Sequence, residues 1–144
     1  MGSIPIGSMP PRESREVVSV RVATLDHLVL TVASIDASIT FYEHLGMRSE
    51  TFGDGRRALR SGRQRLHLHE AGAEIEPYAL RPVPGSADLC FLVEDSLDDV
   101  VRELAQAGIA IELGPVERLG AVGAMESVYL RDPDGNLVEL ARAL

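Results

Sequence analysis

His27-Leu28-Val29-Leu30-Thr31-Val32-Ala33-Ser34-Ile35-Asp36 and Asp88-Leu89-Cys90-Phe91-Leu92-Val93-Glu94-Asp95-Ser96-Leu97 are two copies of one pattern. In each, an apolar strand runs into polar capping residues and then into helical spacing. The first helix is expected from Ser34 or Asp36 to Leu45, with Gly46 as its stop. The second places Leu97, Val100, Val101 and Leu104 on one side, with Asp95 or Ser96 as cap and Gly108 as its end. That is the i, i+3, i+4, i+7 spacing of a one-sided amphipathic helix between ordinary start and stop residues.

Working outward, each helix is followed by strand-like segments broken by turn residues. In the first half these are about 48–52, 57–60 and 65–69, separated by Gly53-Asp54-Gly55 and Ser61-Gly62. In the second they are about 109–113, 127–131 and 137–141, the last two joined by the tight turn Asp132-Pro133-Asp134-Gly135-Asn136. Proline presets one φ of such a turn and glycine accepts a positive one. Gly114-Pro115 through Ala124 reads as a glycine-punctuated loop, either a lid or a surface excursion. Each half is therefore β-α-β-β-β, and the fold class is α+β with the halves paired about a pseudo-twofold axis. The expected organisation is a tail over residues 1–21, with a possible expression leader over 1–8, then a single domain over 22–144. Within it, module 1 covers about 22–70, a proline-bearing linker about 71–86, and module 2 about 87–144.

A net charge of −8 over 144 residues argues against nucleic acid or an anionic membrane surface as partner, since both repel an acidic protein. No apolar run approaches the roughly 20 residues that span a bilayer, and the N-terminus lacks the pattern of a secretory signal. A cytoplasmic protein acting on small molecules is the expectation. Cys90 is the single cysteine, so it has no intramolecular disulfide partner, and its apolar neighbours suggest a buried strand residue.

Three strands carry side chains that bind metals: His27 on the first, His67 and His69 in Leu66-His67-Leu68-His69-Glu70, and Glu139 in Leu137-Val138-Glu139-Leu140. An imidazole or carboxylate on an inward sheet face must be hydrogen-bonded, paired or bound to a metal, because burying it alone costs several kcal/mol. His67 and His69 are two apart and share a face. Each residue has a plainer reading too: His27 as a core histidine bonded to a carbonyl, His67 at the edge of a site, Glu139 paired with Arg131 or Arg142. His44, in the last turn of the first helix, suits a capping role.

The duplicated halves, the first strand Asp26-His27-Leu28-Val29-Leu30-Thr31-Val32, the helix end Phe41-Tyr42-Glu43-His44-Leu45-Gly46-Met47 and the terminal Arg131-Asp132-Pro133-Asp134-Gly135-Asn136-Leu137-Val138-Glu139-Leu140 together resemble the vicinal oxygen chelate superfamily. Its members include glyoxalase I, extradiol dioxygenases and the fosfomycin and bleomycin resistance proteins. Leu68-His69-Glu70, Gly85-Ser86-Ala87-Asp88-Leu89-Cys90-Phe91 and Gly114-Pro115-Val116 resemble its glyoxalase-domain-containing, virulence-associated ring-cleavage-like branch. The resemblance implies a curved, barrel-like mixed sheet with helices outside and association as a homodimer. It implies metal ligands at the first and last strand of each half: His27, the His67/His69 strand with His69 preferred, Asp88 and Glu139. His69 and Glu139 are also the implied catalytic residues. Asp88 stands for a fourth ligand, a carboxylate that orients His27, or an ordinary strand-start residue.

Two imidazoles and a carboxylate leave coordination positions open for a substrate bound through adjacent oxygens. The metal is then Fe(II), Mn(II), Ni(II) or Zn(II), which ligand type does not rank. The implied function is a divalent-metal-dependent, dioxygenase-like enzyme acting on a small oxygen-rich substrate. The alternatives are a glyoxalase-like lyase or isomerase and a metal-free, antibiotic-binding resistance protein. Arg56 and Arg57, with Arg60, are candidates to meet an anionic substrate, and Tyr129 to donate to a bound oxygen; Glu70 and Glu76 are candidate bases.

Overall fold

The computed structural model describes residues 20–144. The expected tail and leader thus fall outside the described residues, apart from the tail's last two positions. The first half comprises β1 (His27–Val32), α1 (Ile35–His44), β2 (Arg48–Phe52), β3 (Arg56–Ser61) and β4 (Gln64–Glu70). The second comprises β5 (Asp88–Leu92), α2 (Leu97–Gln106), β6 (Leu113–Gly120), β7 (Gly123–Arg131) and β8 (Leu137–Ala143). Two four-stranded sheets result, ordered β1-β4-β3-β2 and β5-β8-β7-β6. In each, the first strand pairs parallel with the last and the remaining pairs are antiparallel. The helix supplies the crossover that a parallel pair requires. The α+β class and the curved mixed sheets hold, but the two sheets stay separate and do not close into one barrel.

Between the two cap residues available to each helix, the structure uses serine. Ser34 Oγ accepts the N–H of Ala37 at 3.1 Å, and Ser96 Oγ accepts that of Asp99 at 3.2 Å. The helices stop where Gly46 and Gly108 take φ of 88° and 72°. One face of each sheet packs on its helix. Leu30, Val32, Leu59, Leu66 and Leu68 meet Ile39 and Tyr42 of α1, while Val128, Leu130, Val138 and Leu140 join Leu97, Val100 and Leu104 of α2, all in one core cluster.

The turn at residues 132–136 pins this core together. Asp132 accepts four hydrogen bonds, from the N–H groups of Asp134 and Asn136, the Asn136 side chain and the Tyr42 hydroxyl, at 2.7 to 2.9 Å. Asp134 accepts the N–H of Ala33, and Asn136 that of Ala87. The turn therefore ties the end of β1, helix α1 and the start of β5 to one point.

Three expectations are corrected. The strand expected over about 109–113 is irregular up to Leu113, where β6 begins. The segment expected as a loop from Gly114 to Ala124 is mostly β6, paired with β7 through a register shift between Leu113 and Val116. Gly114 sits at that irregularity with φ of 110°, and a Cβ there would come within 2.4 Å of the Ser127 carbonyl. A glycine that looks like a strand breaker instead permits close strand approach. Cys90 is exposed, not buried, because period-2 alternation turns it to the face of β5 opposite Phe91.

Candidate functional site

The helix-free face of the first sheet is laid out in three rows by strand register. Arg48, Arg60 and Arg65 lie side by side across β2, β3 and β4, with His27 next on β1. The second row is Glu50, Ala58, His67 and Val29. The third pairs Phe52 with Arg56 and His69 with Thr31; one step past the Arg57–Leu68 pair, Arg56 comes level with His69.

His67 is the buried centre of this face, at 5% exposure. Its ring stacks on His27, with centroids 3.8 Å apart and planes 10° from parallel, and is flanked by Phe52 at 4.6 Å. Among the described residues, neither of its ring nitrogens has a hydrogen-bond partner, and the same is true of His69, also 5% exposed. Burial, reinforced by His27, Arg65 and Arg56, pushes the His67 imidazole down to about 4. Burial and Arg56 lower His69 as well. Both rings are therefore neutral near pH 7, with a lone pair that no protein donor uses. His27 is half-exposed, and its Nδ1 lies 2.9 Å from an Asp26 carboxylate oxygen.

The helix-free face of the second sheet carries Glu139, between Cys90 on β5 and Tyr129 on β7. Ser127 Oγ donates to Glu139 Oε2 at 2.6 Å. Partial desolvation by its sheet neighbours and the Glu139 carboxylate push the Cys90 thiol up to about 11, so it is no thiolate nucleophile at neutral pH. The Tyr129 hydroxyl accepts from Arg118 Nε at 3.0 Å. Asp88 lies exposed two positions from Cys90 on the same face.

These placements sort the sequence candidates. His27 and His67 are brought together. His69 is four strand positions from the level of His27, roughly 13 Å along the strand at about 3.3 Å per residue, so the expected union of His27 with His69 is not made within the chain. Glu139 pairs with neither arginine considered for it: Arg131 meets Glu112, and Arg142 donates to the Glu94 carbonyl. Glu70 accepts the N–H of Ile35 at the start of α1, which gives it a structural task. Among the described residues, no three His, Cys, Asp or Glu side chains converge as a metal-holding group within this one chain. A cleft of about 1220 Å³ opens between the β3–β4 turn and β5, reaching Cys90 and Leu92 but none of His67, His69 and Glu139. The unpartnered imidazoles, not this cleft, mark the chemistry.

Phe52, Arg65, Glu50 and Ser127 were not evident as site residues from sequence. For Phe52, Glu50 and Arg65 the signal is positional: the lengths of the Gly53-Asp54-Gly55 and Ser61-Gly62 turns set which residues of β2, β3 and β4 come level with one another, whereas Ser127 is placed by the pairing of β7 with β8.

The donor chemistry fits a divalent ion. Two neutral imidazoles without partners, next to a third histidine, offer nitrogen ligands, and Glu139 offers a carboxylate on the other sheet.

Comparison with known proteins agrees with this architecture. A family model described as the Glyoxalase/Bleomycin resistance protein/Dioxygenase superfamily matches residues 24–140. The chain is 51% identical over 128 residues to virulence protein STM3117 of Salmonella typhimurium, covering 88% of this chain and 89% of that protein. The crystal structure of STM3117 superposes with a TM-score of 0.85 over 87% of this chain and 100% of that one. The chain is also 49% identical over 131 residues to glyoxalase domain-containing protein RDO1 of Mycosarcoma maydis, over 91% of this chain and 74% of that protein. More distant is metallothiol transferase FosB of Shouchella clausii, 28% identical over 118 residues, 81% of this chain and 77% of that one.

Proposed function

Because the chain belongs to the glyoxalase/bleomycin resistance protein/dioxygenase superfamily, we propose that it is a divalent-metal-dependent enzyme, dioxygenase-like in reaction, acting on a small substrate through two adjacent oxygens. The observation that carries this reading is the pair of buried imidazoles, His67 and His69, whose ring nitrogens have no partner among the described residues. An unmade hydrogen bond on a buried polar group costs about 1–3 kcal/mol, and a ligand that removes the cost is the simplest reason to keep four such atoms on one face.

In this reading His27, His67 and Glu139 hold the ion. Of the two β4 imidazoles, His67 is the one in contact with His27, so it is the one that can share an ion with it. His69, level with Arg56, accepts a proton from the substrate, and its lowered pKa keeps it in the accepting form. Ser127 orients the Glu139 carboxylate. When bound, the ion supplies Lewis-acid polarisation of the substrate oxygens and, as Fe(II), redox chemistry with dioxygen.

Glu139 stands on a different sheet from the histidines, and both helix-free faces expose apolar residues: Val29 on the first, Leu92 and Leu113 on the second. Two copies that set the first-sheet face of one against the second-sheet face of the other would cover these residues and complete the ligand set. A homodimer is part of the proposal for that reason. The relative named as a metallothiol transferase is in keeping with a metal-dependent family role.

The test is metal content per chain by plasma mass spectrometry on protein purified anaerobically without chelator. The expected result is near-stoichiometric metal in wild type and in His69→Ala, with metal lost in His27→Ala, His67→Ala and Glu139→Ala. Oxygen uptake on catechol-type substrates then separates a dioxygenase from a glyoxalase-type lyase. Wild-type protein that takes up no metal after reconstitution refutes the enzyme reading and leaves a binding protein.

A further inference from the structure

In a chain of net charge −8, the helix-free face of the first sheet is locally cationic. Arg48, Arg56, Arg60 and Arg65 all lie on it, with Glu50 as the carboxylate in their rows. Glu50 is already engaged: it accepts from Arg60 Nε at 2.5 Å and Arg60 Nη2 at 3.2 Å, and from Arg65 Nη1 at 3.4 Å. Arg56 is different. Among the described residues it makes neither an ion pair nor a hydrogen bond, and its guanidinium stands over the Phe52 ring at 5.0 Å, half-buried and level with His69. The ring orients a cation without neutralising it.

A guanidinium that is fixed, partly shielded and without a counter-ion is a receptor for an oxyanion, because its planar fork matches two oxygens at once. Its field reaches across the site, since screening acts over about 8 Å at physiological salt.

We propose that Arg56, seated on Phe52, binds an anionic group of the substrate, so that the substrate is a small oxyanion, a carboxylate with an adjacent oxygen function. The inference rests on the proposed function for the location of the site, and it adds the substrate's charge and the residue that reads it. Arg56 holds the anion, and the adjacent oxygens face His67 and His27.

The test titrates oxalate, inorganic phosphate and neutral catechol into the full-length protein by calorimetry, both as purified and after chelator treatment. Oxalate is expected to bind wild type and the exposed-turn control Arg63→Ala alike, at least tenfold more weakly to Arg56→Ala, and with intermediate affinity to Arg56→Lys, which keeps charge without the fork. Catechol affinity is expected to be equal in all four. Binding of phosphate in preference to oxalate, with the same dependence on Arg56, supports the oxyanion site and assigns a phosphoryl-type group. Thermal melting verifies the fold of each variant, and Arg56→Gln replaces Arg56→Ala if the latter does not fold. Equal oxyanion affinity in wild type and the Arg56 variants, or none in wild type, overturns the proposal. The chelator-treated arm reads Arg56 without any metal, so failure of the metal assignment and failure of the anion assignment give different results.

Discussion

His67 lies face to face on His27, ring centres 3.8 Å apart, while both of its own nitrogens lack a hydrogen-bond partner among the described residues. Stacking satisfies the ring's apolar surface and leaves its polar edge in deficit. The metal-free protein should therefore be more stable without that edge. His67→Phe is expected to raise unfolding free energy by about 1 kcal/mol in urea titrations with chelator present, and to abolish metal uptake. A loss of stability in the variant would show that the imidazole has a protein partner after all.

The Glu50 carboxylate is held below its ordinary value of 4.5, chiefly by the Arg60 hydrogen bond with Arg65 assisting. A depressed folded-state pKa contributes stability that is present above the unfolded value and lost as pH falls through the folded one. The difference in Tm between wild type and Glu50→Gln should thus be full at pH 7, shrink below about pH 4.5 and vanish in stronger acid. A gap that is constant with pH would assign it to packing.

Tyr42 is fully buried and donates to Asp132 at 2.7 Å; burial first, and that carboxylate second, hold its phenol well above the usual range. Tyr42→Phe keeps the ring and removes one of the four bonds to Asp132. Destabilisation of about 1.5–3 kcal/mol is expected, as for a bond to a charged group, with metal content unchanged. Chemical denaturation and metal analysis on the same preparation check both parts.

Gly114→Ala would place a Cβ 2.4 Å from the Ser127 carbonyl at a φ of 110°. Displacement of β7 at Ser127 would in turn disturb the hydroxyl that orients Glu139. We expect loss of more than about 2 kcal/mol of stability, from strain at a left-handed position and strand separation, together with weaker metal retention. Pro115 substitutions that leave Gly114 intact should retain the metal; equal damage from both would place the sensitivity in the bulge as a whole.

The parts of the fold legible in the sequence are those set by short-range period and caps. The β-strand at His27 and the one at Asp88 announce themselves as apolar runs, and the helices after them by a serine or aspartate cap set against Gly46 and Gly108. β6 was hidden because Gly114-Pro115 looks like an interruption until its partner Ser127 is known. Cys90 looked buried because its neighbours are apolar, whereas strand faces alternate whatever their composition. At the site, the shared face of His67 and His69 follows from their spacing. Phe52 and Arg56 come beside them through the antiparallel β2-β3-β4 hairpins, but which of the two histidines meets His27 depends on the parallel register of β1 and β4, strands separated by a helix and two hairpins. No local signal carries that register.

The division of the donors between two sheets has a genetic consequence if two copies join as proposed. A variant lacking His67 and a variant lacking Glu139 would each be inert alone, since every site in either would miss one element. Mixed and allowed to exchange subunits, they would form a heterodimer in which one site collects both defects and the other collects none. Activity would reappear from two dead parents, up to about half that of a wild-type dimer for each mixed pair. A site completed within one chain could never show such complementation.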